Sequence, residues 1–130
     1  MKFSKGILAV LAALVLLGAG AAVDKERLAD ALAAVDANLK TPAGKKYDEQ
    51  FGGELFNKYQ AGIKQCKGSA SKVDPFDILL KLSGGGKVEE VLVYPETQFA
   101  MCSRDLLLTA SFNPPPHGEY WVNIHMQFKR

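Results

Sequence analysis

The chain is short of the residues that carry most protein chemistry. Its 130 residues include two cysteines, two histidines and one tryptophan. Cys66 and Cys102 do not form a C-x-x-C pair, which excludes a dithiol redox motif. Beyond the N-terminal segment, soft or borderline metal donors are confined to His117, His125, Met101, Met126 and the two cysteines. His125 and Met126 are neighbours in an alternating segment, so their side chains face opposite ways and cannot share an ion. Acidic residues pair at Glu89-Glu90, at Asp48-Glu49 and at Asp24 with Glu26. The first pair splits across a strand and the others lie on helix surfaces, whereas a hydrolase needs carboxylates converging in a cleft. The expectation is a chain with no catalytic residues, no metal site and no cofactor. It also lacks internal repeats, low-complexity linkers and long charge blocks.

Long hydrophobic runs are missing too. The run from Ile7 to Leu17 is too short to cross a bilayer as a helix, which takes about 20 residues. It follows Lys2 and Lys5 and precedes Gly18-Ala19-Gly20-Ala21-Ala22, the layout of a secretory signal peptide. Residues 1–22 are therefore expected to be a cleavable leader and residues 23–130 one mature domain, periplasmic or secreted. No cysteine follows the small residues, which argues against a lipoprotein. Removing Lys2 and Lys5 from the 16 basic residues leaves 14, against 14 acidic ones. The pI of about 8.5 for the whole chain thus gives no ground for nucleic-acid binding. A mature chain of this size builds one modest core.

What is present is a set of clear periodicities. Asp24 is a candidate cap, after which Leu28, Leu32, Val35 and Leu39 recur at helical spacing. Thr41 caps a second helix with Pro42 at its first position, and Tyr47, Phe51, Leu55, Tyr59, Ile63 and Cys66 form its stripe. Gly52-Gly53 weakens it by about 1 kcal/mol per glycine and suggests a bend. Gly68-Ser69-Ala70-Ser71 ends it. From Phe76 the period becomes two, with Phe76, Ile78, Leu80 and Leu82 on one face and Asp77, Lys81 and Ser83 on the other. Leu79 alone breaks the polar side. Gly84-Gly85-Gly86 suits a hairpin turn, and KVEEVLVY resumes in β-branched residues. Residues 96–110 return to helical spacing, placing Phe99, Cys102, Leu106 and Ala110 on one stripe. Pro114-Pro115-Pro116 makes a rigid corner, and Tyr120, Val122, Ile124, Met126 and Phe128 alternate in a final strand. The pattern predicts an α+β domain. A helical part over residues 23–70 precedes strand, strand, helix, strand over 71–130, forming a three-stranded antiparallel sheet with helices packed on it.

An even cysteine count in an exported chain favours a disulfide, and two cysteines allow one pairing, Cys66 to Cys102. The bridge would tie the end of the second helix to the third. Its rival is a nucleophilic cysteine with His125 or His117 as base, but nothing beside either cysteine activates a thiolate.

The order helix, strand, strand, helix, strand resembles the periplasmic C-terminal domain of TonB-type energy transducers and their small standalone relatives. The residues that carry the resemblance are Gly86-Lys87-Val88 with Val91 and Val93, Cys102, Phe112 with Pro114-Pro115, and the closing strand through Phe128. Cys66, before the first strand, has counterparts among some relatives. The resemblance spans about residues 55–130 and implies a fold and a mode of binding. A transducer also has a membrane anchor and a long proline-rich spacer. Here the hydrophobic segment reads as cleavable and two short helices replace the spacer, so energy transduction is not implied.

A three-stranded antiparallel sheet has two edges whose unpaired N–H and C=O groups accept an extended peptide or a second copy of the chain. The outward face of the final strand carries Trp121, Asn123, His125 and Gln127, the candidate partner-binding residues. Core packing under the N-terminal helix is the plainer reading of Trp121. The expectation is a non-enzymatic periplasmic protein-binding or assembly module acting by strand addition. Its partner would be a protein or peptide of the cell envelope, or a second copy. The alternative is a small secreted enzyme or metal carrier using His117 or His125.

Overall fold

The computed structural model describes residues 24–128, and the expected leader, residues 1–22, lies outside them. Helix α1 (Lys25–Leu39) starts where the Asp24 carboxylate accepts from the N–H groups of Glu26 and Arg27. Helix α2 (Pro42–Ser69) starts at Thr41, whose hydroxyl accepts from Gly44 N–H at 2.9 Å. It runs as one helix through Gly52 and Gly53, where the glycines suggest a bend. Strands β1 (Phe76–Leu82) and β2 (Val88–Tyr94) follow, then helix α3 (Gln98–Leu107), capped by Thr97, and strand β3 (Tyr120–Met126). The strands are antiparallel in the order β2-β1-β3. The described residues thus form an α+β fold, in the order that the periodicities predict.

One sheet face carries Phe76, Ile78, Leu80 and Leu82 of β1 into the main core, under α2 and α3. A bulge lets β2 join them. Leu80 pairs with Val91 but Leu82 with Val88, so Glu89 is an extra residue, and Val88, Val91 and Val93 are all buried. A regular strand would have turned Val88 away from Val91 and Val93. In the hairpin, Gly86 has φ +91°, and a Cβ there would run into the backbone carbonyl of Phe112. Only glycine fits that turn.

Leu79 explains itself on the other face. It and Trp121 are buried beneath Ala31 and Val35 of α1, forming a second, smaller core. The buried stripe of α1 is therefore turned from the leucine pattern, leaving Leu32 43% and Leu39 37% exposed. Alanine at position 31 has no side-chain bulk to hold the helix off the sheet. At the rim, the Arg27 guanidinium forks onto the Glu90 carboxylate and lies 5.4 Å from the Trp121 ring.

That fork holds the Glu90 carboxyl below its usual range, against the opposing effect of burial. A carboxyl depressed in the folded state stabilises the fold above the unfolded pKa, and this contribution fades as pH falls through the folded value. Thermal unfolding of wild type and Glu90→Gln should differ at pH 7 and converge towards pH 3. The difference should be small, because the pair is partly exposed. A gap that widens on acidification would contradict the assignment.

Helix α3 packs in two directions. Phe99, Ser103 and Leu107 are buried, with Phe99 edge-on to Phe76 at 5.0 Å. Cys102 and Leu106, one position off that stripe, turn towards α2. Leu106 packs where a Cβ on Gly62 would sit, and Cys102 is bridged to Cys66 with Cα atoms 5.6 Å apart. The stripe expected from Phe99, Cys102, Leu106 and Ala110 merges these two faces. No helix among the described residues is long and apolar enough to cross a membrane.

Candidate functional site

The site is built from the alternation of one strand. β1 is central, so successive backbone groups point alternately to its two neighbours. Just past it, Ser83 N–H donates to Lys87 O, on the β2 side, at 2.8 Å. Odd-numbered residues of β1 therefore face β2, and even-numbered ones face β3. Ile78 stands opposite Ile124 and Leu80 opposite Val122, so these pairs bond across the β1–β3 ladder. The backbone groups of Trp121, Asn123 and His125 point outwards.

One outward group is already taken. Asn38 of α1 donates its side-chain N–H to Trp121 O at 3.1 Å. From Asn123 onwards no further strand pairs with β3 among the described residues. The β2 edge is different. It carries the Glu89 bulge and is followed by Pro95, both devices that blunt an edge. The chain after α3 also crosses one end of it, where Val88 N–H donates to Ala110 O at 3.1 Å and Phe112 N–H to Gly86 O at 2.8 Å.

Helix α2 runs beside β3 in the same direction. Near their starts the rings of Tyr47 and Tyr120 meet edge-on at 5.3 Å, and near their ends Lys67 Nζ lies 5.4 Å from the Phe128 ring. Between them, beside the open edge, lies an apolar groove of about 450 Å³. Leu55, Phe56 and Ile63 line it from the helix, and Ile124, Met126 and Phe128 from the strand side. Phe56 is 60% exposed. Gly52 lines one end, where a Cβ would meet nothing within 4 Å. A glycine inside a helix costs about 1 kcal/mol relative to alanine, and here it leaves the groove open. Lys64 and Lys67, one turn apart, stand towards the other end.

The candidate residues have separate positions. Trp121 is 7% exposed, packed under α1. Asn123 is half-buried on the same face, with its Oδ1 buried and without a hydrogen-bond partner. His125 is exposed, and its Nδ1–H donates to the cross-strand Asp77 carboxylate at 2.7 Å. Gln127 is exposed just past the strand end. His117 Nδ1–H donates to Gly118 O at 2.8 Å and its ring lies against Tyr120. His117 thus packs at the start of β3, against Tyr120, while His125 stands five residues, or roughly 16 Å of strand, beyond Tyr120. Among the described residues no three His, Cys, Asp or Glu side chains converge to hold an ion. The sequence reading missed Asn38, Phe56, Lys64 and Lys67. Its one available signal was Phe56, a large aromatic next to Leu55 and off the buried stripe of its helix.

No protein-family model matches this chain, and searches of curated proteins and of solved structures find no match to it.

Proposed function

We propose that this chain is a non-enzymatic binding or assembly module of the cell envelope that takes an extended segment of a partner as a fourth strand on β3. The observation that carries this reading is the open β3 edge lying directly beside an apolar groove. Strand addition draws affinity from backbone hydrogen bonds and specificity from pockets for alternate side chains. Both are supplied by one strand here, since outward N–H and C=O groups begin at Asn123 while Ile124 and Met126 face the groove. Export by a cleaved leader is part of the proposal. It is supported by the basic head, apolar run and small residues before Asp24, and by a disulfide of the kind that persists in oxidising compartments. The resemblance of residues 55–130 to TonB-type C-terminal domains points the same way. An enzyme or metal carrier built on His117 and His125 gains no support from their separation.

The test removes one outward donor. Asn123→Pro deletes an N–H that faces away from β1, whereas the same change at Val122 would break the ladder. The folded protein serves as bait in envelope extract, retained proteins are identified by mass spectrometry, and the variant is then compared. Asn123→Pro should stay folded by circular dichroism and capture the identified partner at least tenfold more weakly. A folded variant that retains its partner as well as wild type would refute strand addition.

A further inference from the structure

Resting on strand addition at β3, we infer that the captured segment places apolar side chains in the groove and a carboxylate against Lys64 and Lys67. Three features of the groove point to this occupant. Its length along α2, from Gly52 to Lys67, is about 22 Å at helical rise, which matches six or seven residues of extended chain. Its walls are apolar on both sides, so side chains that alternate towards it from an added strand leave water on entering. Its charge is confined to one end. Lys64 and Lys67 lie three residues apart on the same helix face, and Lys64 has no carboxylate partner among the described residues. Lys67 leans over Phe128, which holds its ammonium group at the groove rather than away from it. A carboxylate here meets two cations, Lys64 exposed and Lys67 half-buried, and charge complementarity selects the partner and fixes its register.

The start of the segment is bounded as well. Asn38 occupies Trp121 O, so the added strand pairs with β3 from Asn123 towards Phe128, the half of the strand that flanks the lysines.

A display library of random eight-residue segments, panned on the folded, disulfide-bonded protein, tests the inference. Selected segments should carry apolar residues at alternate positions and Asp or Glu at one end. Against the Lys64→Glu, Lys67→Glu double variant, a selected peptide should bind at least tenfold more weakly, and fresh selection should favour Lys or Arg at that end. Gly52→Trp, whose Cβ would meet no protein atom within 4 Å and whose ring would occupy that end of the groove, should weaken binding while leaving the charge preference intact. Circular dichroism and an intact disulfide show that each variant is folded. Peptides that lose binding in Asn123→Pro but show no charge preference would overturn this inference and leave strand addition standing. Peptides indifferent to Asn123→Pro would overturn both, as would a library that yields no binder while a twelve-carbon fatty acid occupies the groove.

Discussion

Replacing Cys66 and Cys102 together by alanine is expected to lower the unfolding free energy by about 4 kcal/mol. The two cysteines are 36 residues apart, and the loop between them holds β1, the glycine hairpin, β2 and the first half of α3. Without the bridge, the unfolded chain recovers the freedom of that whole loop. A small domain has roughly 5–15 kcal/mol of stability in all, so the loss is a large share of it. Urea unfolding without reductant gives the number directly. Wild type treated with a thiol reductant should fall to the level of the double variant, which should itself be indifferent to reductant. A loss under 1 kcal/mol would mean that packing between α2 and α3 alone sets their relation. The bridge also fixes the half of α2 that carries Lys64 and Lys67.

Phe99→Ala should cost about 3–5 kcal/mol, the range for deleting a buried aromatic ring. Phe99 is fully buried and touches two other rings, Phe76 at 5.0 Å and Phe128 at 4.9 Å. The cavity left behind would border the groove, because Phe128 lines it. Phe56→Ala is the contrast. The same change on a ring that is 60% exposed should alter stability by no more than about 0.5 kcal/mol, while removing one wall of the groove. Chemical denaturation of both variants separates the ring that holds the fold from the ring that shapes the site. Equal losses would contradict that division.

Element type and order were legible because each segment has a clean period. Phe76 to Leu82 alternates, and the Thr41-Pro42 start, the glycine hairpin and the proline corner mark the boundaries with residues that permit little else. Faces were less legible, for reasons visible in three places. Leu79 looked like a fault in an alternating strand, because a period shows which residues share a side and not whether both sides are covered. Val88 joined Val91 and Val93 through a bulge at Glu89, a change of phase that β-branched residues do not signal. On α3 the sequence could not separate residues facing the sheet from those facing α2, since Phe99, Cys102 and Leu106 are all apolar. The groove was the least legible of all. It exists because α2 and β3 run side by side, a relation between distant segments that no local pattern encodes. Asn38, polar and near a helix end, has no sequence signal of its own, because its role depends on the strand edge that lies next to it.

Backbone hydrogen exchange, resolved by residue in the isolated protein, tests the openness of the β3 edge most directly. Amides bonded across a ladder exchange slowly, and those facing solvent exchange fast. Val122 and Ile124 should be strongly protected, and Asn123 and His125 should exchange orders of magnitude faster, an alternation along one strand. On adding a captured segment, Asn123 and His125 should become protected while the other two change little. Equal and strong protection at all four positions in the monomer would mean that the edge is already covered, and would contradict strand addition at β3.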